Sequence, residues 1–166
     1  MSLALARNTT PLACPAWSVE GVPAKDAHVP WLRCWNLLAR VFDRYPEDRD
    51  LYRPDALLAE IKAGTAQLWI AWSYQRRRVE GACITKVGIN PVLPGERVCE
   101  AVLVGGENWR EWGPQMADLL AAWADANGCI GVLGGGRRGW GRLLPVKRIG
   151  TSSAGRPMFL YSARRN

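Results

Sequence analysis

A chain of 166 residues and 18.4 kDa is the size of one ordinary domain. With 48% hydrophobic and 22% charged residues it lies near the soluble globular average, which excludes long disorder and fibrous repeats. No run approaches 18 consecutive apolar residues, and residues 1–7 lack the apolar core of a signal peptide, so a cytoplasmic product without a membrane partner is expected.

Five cysteines, at 14, 34, 83, 99 and 129, are widely spaced, no CxxC occurs, and His28 is the single histidine. Zinc needs clustered thiolates or imidazoles, so no metal site is expected. Cys83, Cys99 and Cys129 fall in apolar runs and are expected to be buried thiols.

The net charge of +7 is unevenly placed. Residues 137–166 hold eight bases (Arg137, Arg138, Arg142, Lys147, Arg148, Arg156, Arg164, Arg165) and no acid, whereas the first 136 residues carry 14 bases against 15 acids. Two readings follow: an acidic partner such as nucleic acid, or a solvated basic face that aids solubility.

Residues 1–16 carry Pro11 and Pro15 without periodicity and are expected to form an extended N-terminal arm, leaving 17–166 as one domain. Residues 17–23 suit a short strand. Trp31, Trp35, Leu38 and Phe42 recur at helical spacing within 28–42. A second helix is predicted over 54–63, with Pro54 in its first turn and Gly64 closing it. The period then shortens. Residues 67–74, 79–87 and 97–104 read as three strands of an antiparallel meander, with residues 75–78 as the first turn.

Met116, Leu119, Leu120 and Trp123 predict a helix, with Pro114 at its first position and Asn127-Gly128 at its end. Residues 129–133 form a wholly apolar run expected to be a buried strand parallel to its predecessor. The glycine-rich stretch 134–142 reads as a loop entering a short helix, and 157–162 as the last strand. The three glycines lack the Gly-Lys-Ser/Thr of a Walker loop and do not follow a first strand, so neither nucleotide fingerprint applies.

The order strand, helix, helix, three antiparallel strands, helix, strand, short helix, strand resembles the GCN5-related N-acetyltransferase (GNAT) fold over residues 17–164. This α+β fold has a central mixed sheet with an antiparallel meander, a parallel strand pair, and helices on both faces. The family's pyrophosphate loop follows Gln/Arg-x-x-Gly-x-Gly/Ala, and the matching stretch here is Arg110-Glu111-Trp112-Gly113-Pro114-Gln115. The resemblance implies Val104, Gly105, Arg110, Gly113 and Gln115 as the residues that would meet acetyl-CoA. The stretch departs from the pattern at Pro114 and Gln115, and Glu107 and Glu111 place negative charge where phosphate would lie. The loop reads as impaired, and no cofactor is expected, with acetyl-CoA as the alternative.

Catalytic positions carried by the resemblance are equally thin. Glu100 is either a general base or a polar residue on an exposed strand face; the short helix has Trp140 where a Tyr would serve as acid, and Tyr161 lies on the final strand. Gly128-Cys129 followed by Gly136-Arg137-Arg138-Gly139-Trp140 is similar to small GNAT-like proteins of tailed phages, some of them internal virion proteins. That likeness implies a catalytically degenerate, virion-associated or assembly protein in the host cytoplasm, with other virion proteins, nucleic acid or a second copy as partners. The partner-binding candidates are Trp109, Trp112, Arg137, Arg138, Trp140, Arg142, Lys147 and Arg148. Trp109 and Trp112 are expected either to anchor a partner or to fill the cleft that CoA occupies in an enzyme. The alternative function is an acyl-CoA-dependent N-acyltransferase acting on an acidic or nucleic-acid acceptor.

Overall fold

Alternation of apolar residues builds the meander. In β2 (Gln67–Ser73), Leu68 and Ile70 turn to one side of the sheet, while Trp69 and Ala71 turn to the other. The computed structural model describes residues 15–162, so most of the predicted arm, together with Cys14, Arg164 and Arg165, lies outside the described residues. Around β2 run β1 (Trp17–Gly21), β3 (Arg78–Ile89) and β4 (Arg97–Gly106), each antiparallel to its neighbour. The sheet continues through β5 (Val132–Gly135), β7 (Pro157–Tyr161) and β6 (Lys147–Thr151), in the order β1-β2-β3-β4-β5-β7-β6.

Among the described residues only β4 and β5 run parallel. A parallel pair requires a crossover, which α3 (Trp109–Ala126) supplies. Met116, Leu120, Ala121 and Ala124 of α3 pack on Trp69, Cys83, Cys99 and Val132. On the opposite face α1 (Trp31–Leu38) and α2 (Pro54–Ala63) bury Leu37, Leu38, Leu57 and Ile61 against Leu68, Ile84 and Leu103. The layers are helix, sheet, helix, and this is the mixed fold expected above. No helix of the described residues is long and apolar enough to cross a membrane.

Four elements differ most from the sequence reading. The first helix is α-helical only over Trp31–Leu38 and continues as a 3-10 turn over Ala39–Asp43. α3 begins at Trp109 rather than Pro114, because Asn108 takes a left-handed conformation (φ 55°) that turns the chain into the helix five residues early. Pro114 is therefore the sixth helical residue, where it withholds an N–H from the Arg110 carbonyl. β5 lies over 132–135 rather than 129–133, and β6 was not foreseen. Its residues Lys147, Arg148, Ile149, Gly150 and Thr151 lack the apolar alternation that marks a half-buried strand. Between β5 and β6 lies the single turn of α4 (Trp140–Leu143).

Candidate functional site: the cleft between β4 and β5

The two parallel strands touch only briefly. Cys99, Glu100 and Ala101 pair with Val132, Leu133 and Gly134, and β5 ends one residue later. On its other edge β4 carries an extra residue. Leu103 faces Ile84 and Ala101 faces Thr85, leaving Val102 bulged between them. Past the bulge β4 runs on to Gly106 without a strand on the β5 side. The gap is a cavity of about 780 Å³, walled by Val102 to Gly106, by α3 through Trp109, Met116 and Leu120, and by Gly134 to Gly136. Its rim is charged, with Arg40, Arg44, Arg137 and Arg156 and the carboxylates Asp48 and Glu111.

Val104 and Gly105 form the β4 wall, as the resemblance implied. Gly105 is fixed by packing: a Cβ there would lie 2.3 Å from the Leu37 carbonyl oxygen, so β4 backbone rests directly on α1. Arg110 lines the cavity from the first turn of α3, and among the described residues it has no ion pair. Gln115 is exposed on the helix. Gly113 is the fifth residue of α3, where backbone N–H groups enter intrahelical bonds. A Cβ on it would stand 2.3 Å from the Trp109 indole. Arg110 to Gln115 is thus helix, with Gly113 covered by an aromatic ring, rather than the open glycine loop of a pyrophosphate cradle.

Trp112 is fully buried and donates its indole N–H to the Glu107 carbonyl at 2.6 Å. It offers no surface to a partner, which corrects its place among the partner-binding candidates. Trp109 stacks edge-on against Trp112 at 4.7 Å and against Trp140 at 4.8 Å. The three rings form a continuous stack joining α3 to α4 across the end of the cleft. Trp109 lines the cleft, whereas Trp112 lies in the core cluster beneath α3.

Glu100 and Tyr161 are separated. Glu100 shares a row with Leu133 and Leu160, while Tyr161, one residue on, packs with the α3 cluster on the opposite face. The Tyr161 hydroxyl donates to Asp118. Glu100 accepts from Asn90 Nδ2 at 3.3 Å. These two residues therefore do not form the acid–base pair that the resemblance implied. Arg142, Lys147 and Arg148 are exposed on α4 and the edge strand β6.

Several polar groups escaped the sequence reading. Arg156 grips Asp48 through both guanidinium nitrogens, at 2.5 and 3.0 Å, reaches Glu47, and lies 3.9 Å over the Tyr45 ring. The hydrogen bond to Asp48 is the main cause that holds Arg156 above its usual guanidinium range. Burial, with Glu100 and Asp48 nearby, raises the Tyr52 hydroxyl. Glu80 is buried at the β3 bulge opposite Trp72 and accepts from Asn108 (2.8 Å), Arg76 (3.0 Å) and Arg78 (3.1 Å). Glu107 pairs with Arg40 and Arg78, each at 3.0 Å. An acid within the apolar run 79–87 was a legible signal for Glu80; nothing in sequence joins Asp48 to Arg156.

No family model matches the chain, nor does any curated protein. Solved structures do. An aminoglycoside 6'-acetyltransferase of type Ii aligns with TM-score 0.62 at 12% identity, over 90% of this chain and 99% of that one. A probable acetyltransferase from Staphylococcus epidermidis ATCC 12228 gives 0.61 at 10% identity, over 89% and 99%. A GNAT-family acetyltransferase from Streptococcus agalactiae 2603 gives 0.56 at 10% identity, over 90% and 96%. At these identities the likeness is one of architecture: the chain has a GNAT-like fold.

Proposed function

We propose that this chain is a GNAT-fold protein that works by association rather than by acyl transfer, as a virion-associated or assembly accessory protein of tailed-phage type. The Trp112–Trp109–Trp140 stack carries the reading. It bridges α3 and α4 beside the stretch that would hold a CoA pyrophosphate, and it covers the glycine of that stretch. The phage assignment is supported by the Gly128-Cys129 and Gly136-Arg137-Arg138-Gly139-Trp140 sequences. Acetyl-CoA titrated by calorimetry, with tryptophan emission followed in parallel, is expected to give neither heat nor a spectral change up to millimolar ligand. Micromolar binding abolished by Arg110→Glu would overturn the reading. Purified particles, probed for the chain by mass spectrometry, are expected to contain it.

A second reading, an N-acyltransferase acting on an acidic or nucleic-acid acceptor, is favoured by the volume of the cleft and by the β4 edge left without a strand past Ala101. Acetyl-CoA hydrolysis or transfer that survives in Glu100→Gln but not in Arg110→Glu would support this reading without Glu100 as base.

A further inference from the structure

Beside the cleft lies a second, more open recess of about 610 Å³, between the 3-10 turn at Ala39–Asp43 and the glycine-rich segment after β5. Arg44 and Tyr45 border it on one side, and Arg137 and Arg138 on the other, with Arg156 at its base. No carboxylate lines it. Arg156 is held by Asp48 and Glu47, but among the described residues Arg44, Arg137 and Arg138 have no ion pair. Two neutral donors flank Gly136, Tyr45 from the recess and Trp140 from the neighbouring cleft. A Cβ on Gly136 (φ +134°) would lie 3.6 Å from Trp140 Nε1 and 4.0 Å from the Tyr45 hydroxyl oxygen. Neither donor has a hydrogen-bond partner among the described residues. A recess lined by cations and a hydroxyl donor, with both neighbouring acids engaged by Arg156, is complementary to an oxyanion rich in acceptor oxygens.

The glycines beside it supply an independent observation. Gly139 has an ordinary right-handed conformation (φ −67°), and a Cβ on Gly139 or Gly141 would meet nothing within 4 Å. Neither the backbone nor the packing of this chain requires glycine there, and Gly141 weakens the helical turn it occupies. Bare backbone at Gly139 and Gly141 leaves room for an external group to approach closely. Further exposed bases follow in the chain, Arg142 on α4 and Lys147 and Arg148 on β6. Several exposed cations suit a polyanion better than one small anion.

We propose that the recess binds the phosphate backbone of a nucleic-acid strand, with Arg44, Arg137 and Arg138 as cationic contacts and Tyr45 and Trp140 as neutral donors. This deepens the reading of the chain as an association module by naming the partner's chemistry, and it is tested by a separate measurement. The probe is a fluorescein-labelled oligothymidine of about 20 nucleotides, followed by anisotropy from about 50 to 200 mM KCl. Binding is expected to weaken with salt, and Arg44→Gln/Arg137→Gln/Arg138→Gln to lower affinity at least about tenfold and flatten the log–log salt slope by about two. Arg97→Gln, exposed at the far end of β4, is the control and should change affinity less than about twofold.

Gly139→Val and Gly141→Ala have room in the free protein, so both should fold normally, yet both should weaken binding without altering charge. No binding at the lowest salt, equal losses in the triple variant and Arg97→Gln, or glycine variants that bind as well as the parent would each overturn the assignment. Binding of inorganic pyrophosphate without binding of the strand would make this a small-ligand site and overturn it too. Acetyl-CoA binding would sink the proposed function while leaving a strand-binding result intact.

Discussion

The indole of Trp109 stands 4.8 Å from that of Trp140 at an interplanar angle of 83°, so the first residue of α3 touches the first residue of α4. Edge-to-face geometry at this distance is favourable beyond the area it buries, because the positive ring edge meets the negative face. The contact spans the mouth that the parting of β4 and β5 leaves open.

That contact predicts energetic coupling. In urea unfolding of Trp109→Ala, Trp140→Ala and the double variant, the two rings should show a coupling of about 0.5–1.5 kcal/mol. Additive losses would mean that the rings are neighbours without holding α4 to α3.

Gly81 of the meander should resist replacement. A Cβ there would lie 2.3 Å from the ring of Trp112, which is fully buried and fixed by its bond to Glu107, so the ring cannot retreat. Gly81→Ala should destabilise by about 2–3 kcal/mol through overpacking. Gly88→Ala, whose Cβ would meet nothing within 4 Å, should be neutral within about 0.5 kcal/mol. Equal stabilities of the two variants would contradict the packing described for Trp112.

What the sequence made legible followed from local regularity. Leu57 and Ile61, with Pro54 and Gly64 at the ends, specify α2 to the residue, and alternation in 67–73 specifies β2. Element order was enough to suggest the fold. The start of α3 was not legible, because Pro114 is a strong N-terminal signal and the left-handed turn at Asn108 depends on its bond to Glu80, 28 residues away. β6 escaped because its pairing with β7, not its own pattern, makes it a strand. At the site, Val104 and Gly105 followed from element order, whereas the face of the sheet on which Glu100 or Tyr161 lies depends on registers set across three strands.

The buried cysteines predict a loss of stability in alkali. Burial pushes the Cys34 and Cys99 thiols up to about 12 and moves Cys83 in the same direction, with Arg33 and the Thr85 hydrogen bond opposing the shifts at Cys34 and Cys99 respectively. Thiols of the unfolded chain ionise near pH 8.5. Their contribution is therefore complete below about pH 8.5 and declines as pH rises toward the folded values. In a Cys14→Ser background, a thiol reagent at pH 8 should react with Cys34, Cys83, Cys99 and Cys129 only after denaturant is added, and Cys99→Ala should flatten the alkaline fall. Rapid labelling of the native protein would contradict their burial.

Glu80 predicts the opposite limb. Burial disfavours its charge, but the Asn108 and Arg78 hydrogen bonds and the charges of Arg76 and Arg78 outweigh that effect and hold its pKa below the usual carboxylate range. With the folded value below the unfolded one, its contribution is present above about pH 4.3 and is lost as pH falls through the folded value. Glu80→Gln keeps the shape and removes the charge, so it should lower stability by about 1–3 kcal/mol at pH 7, the usual range for a charged hydrogen-bond acceptor. The difference from the parent should close as unfolding is measured toward pH 3, because the carboxylate of the unfolded chain is then protonated. A gap that stays constant with pH would show that the loss comes from hydrogen-bond geometry rather than from the charge. Because Asn108 opens α3 from its bond to Glu80, the same variant should also perturb Trp109 and Trp112 emission at neutral pH, before any unfolding.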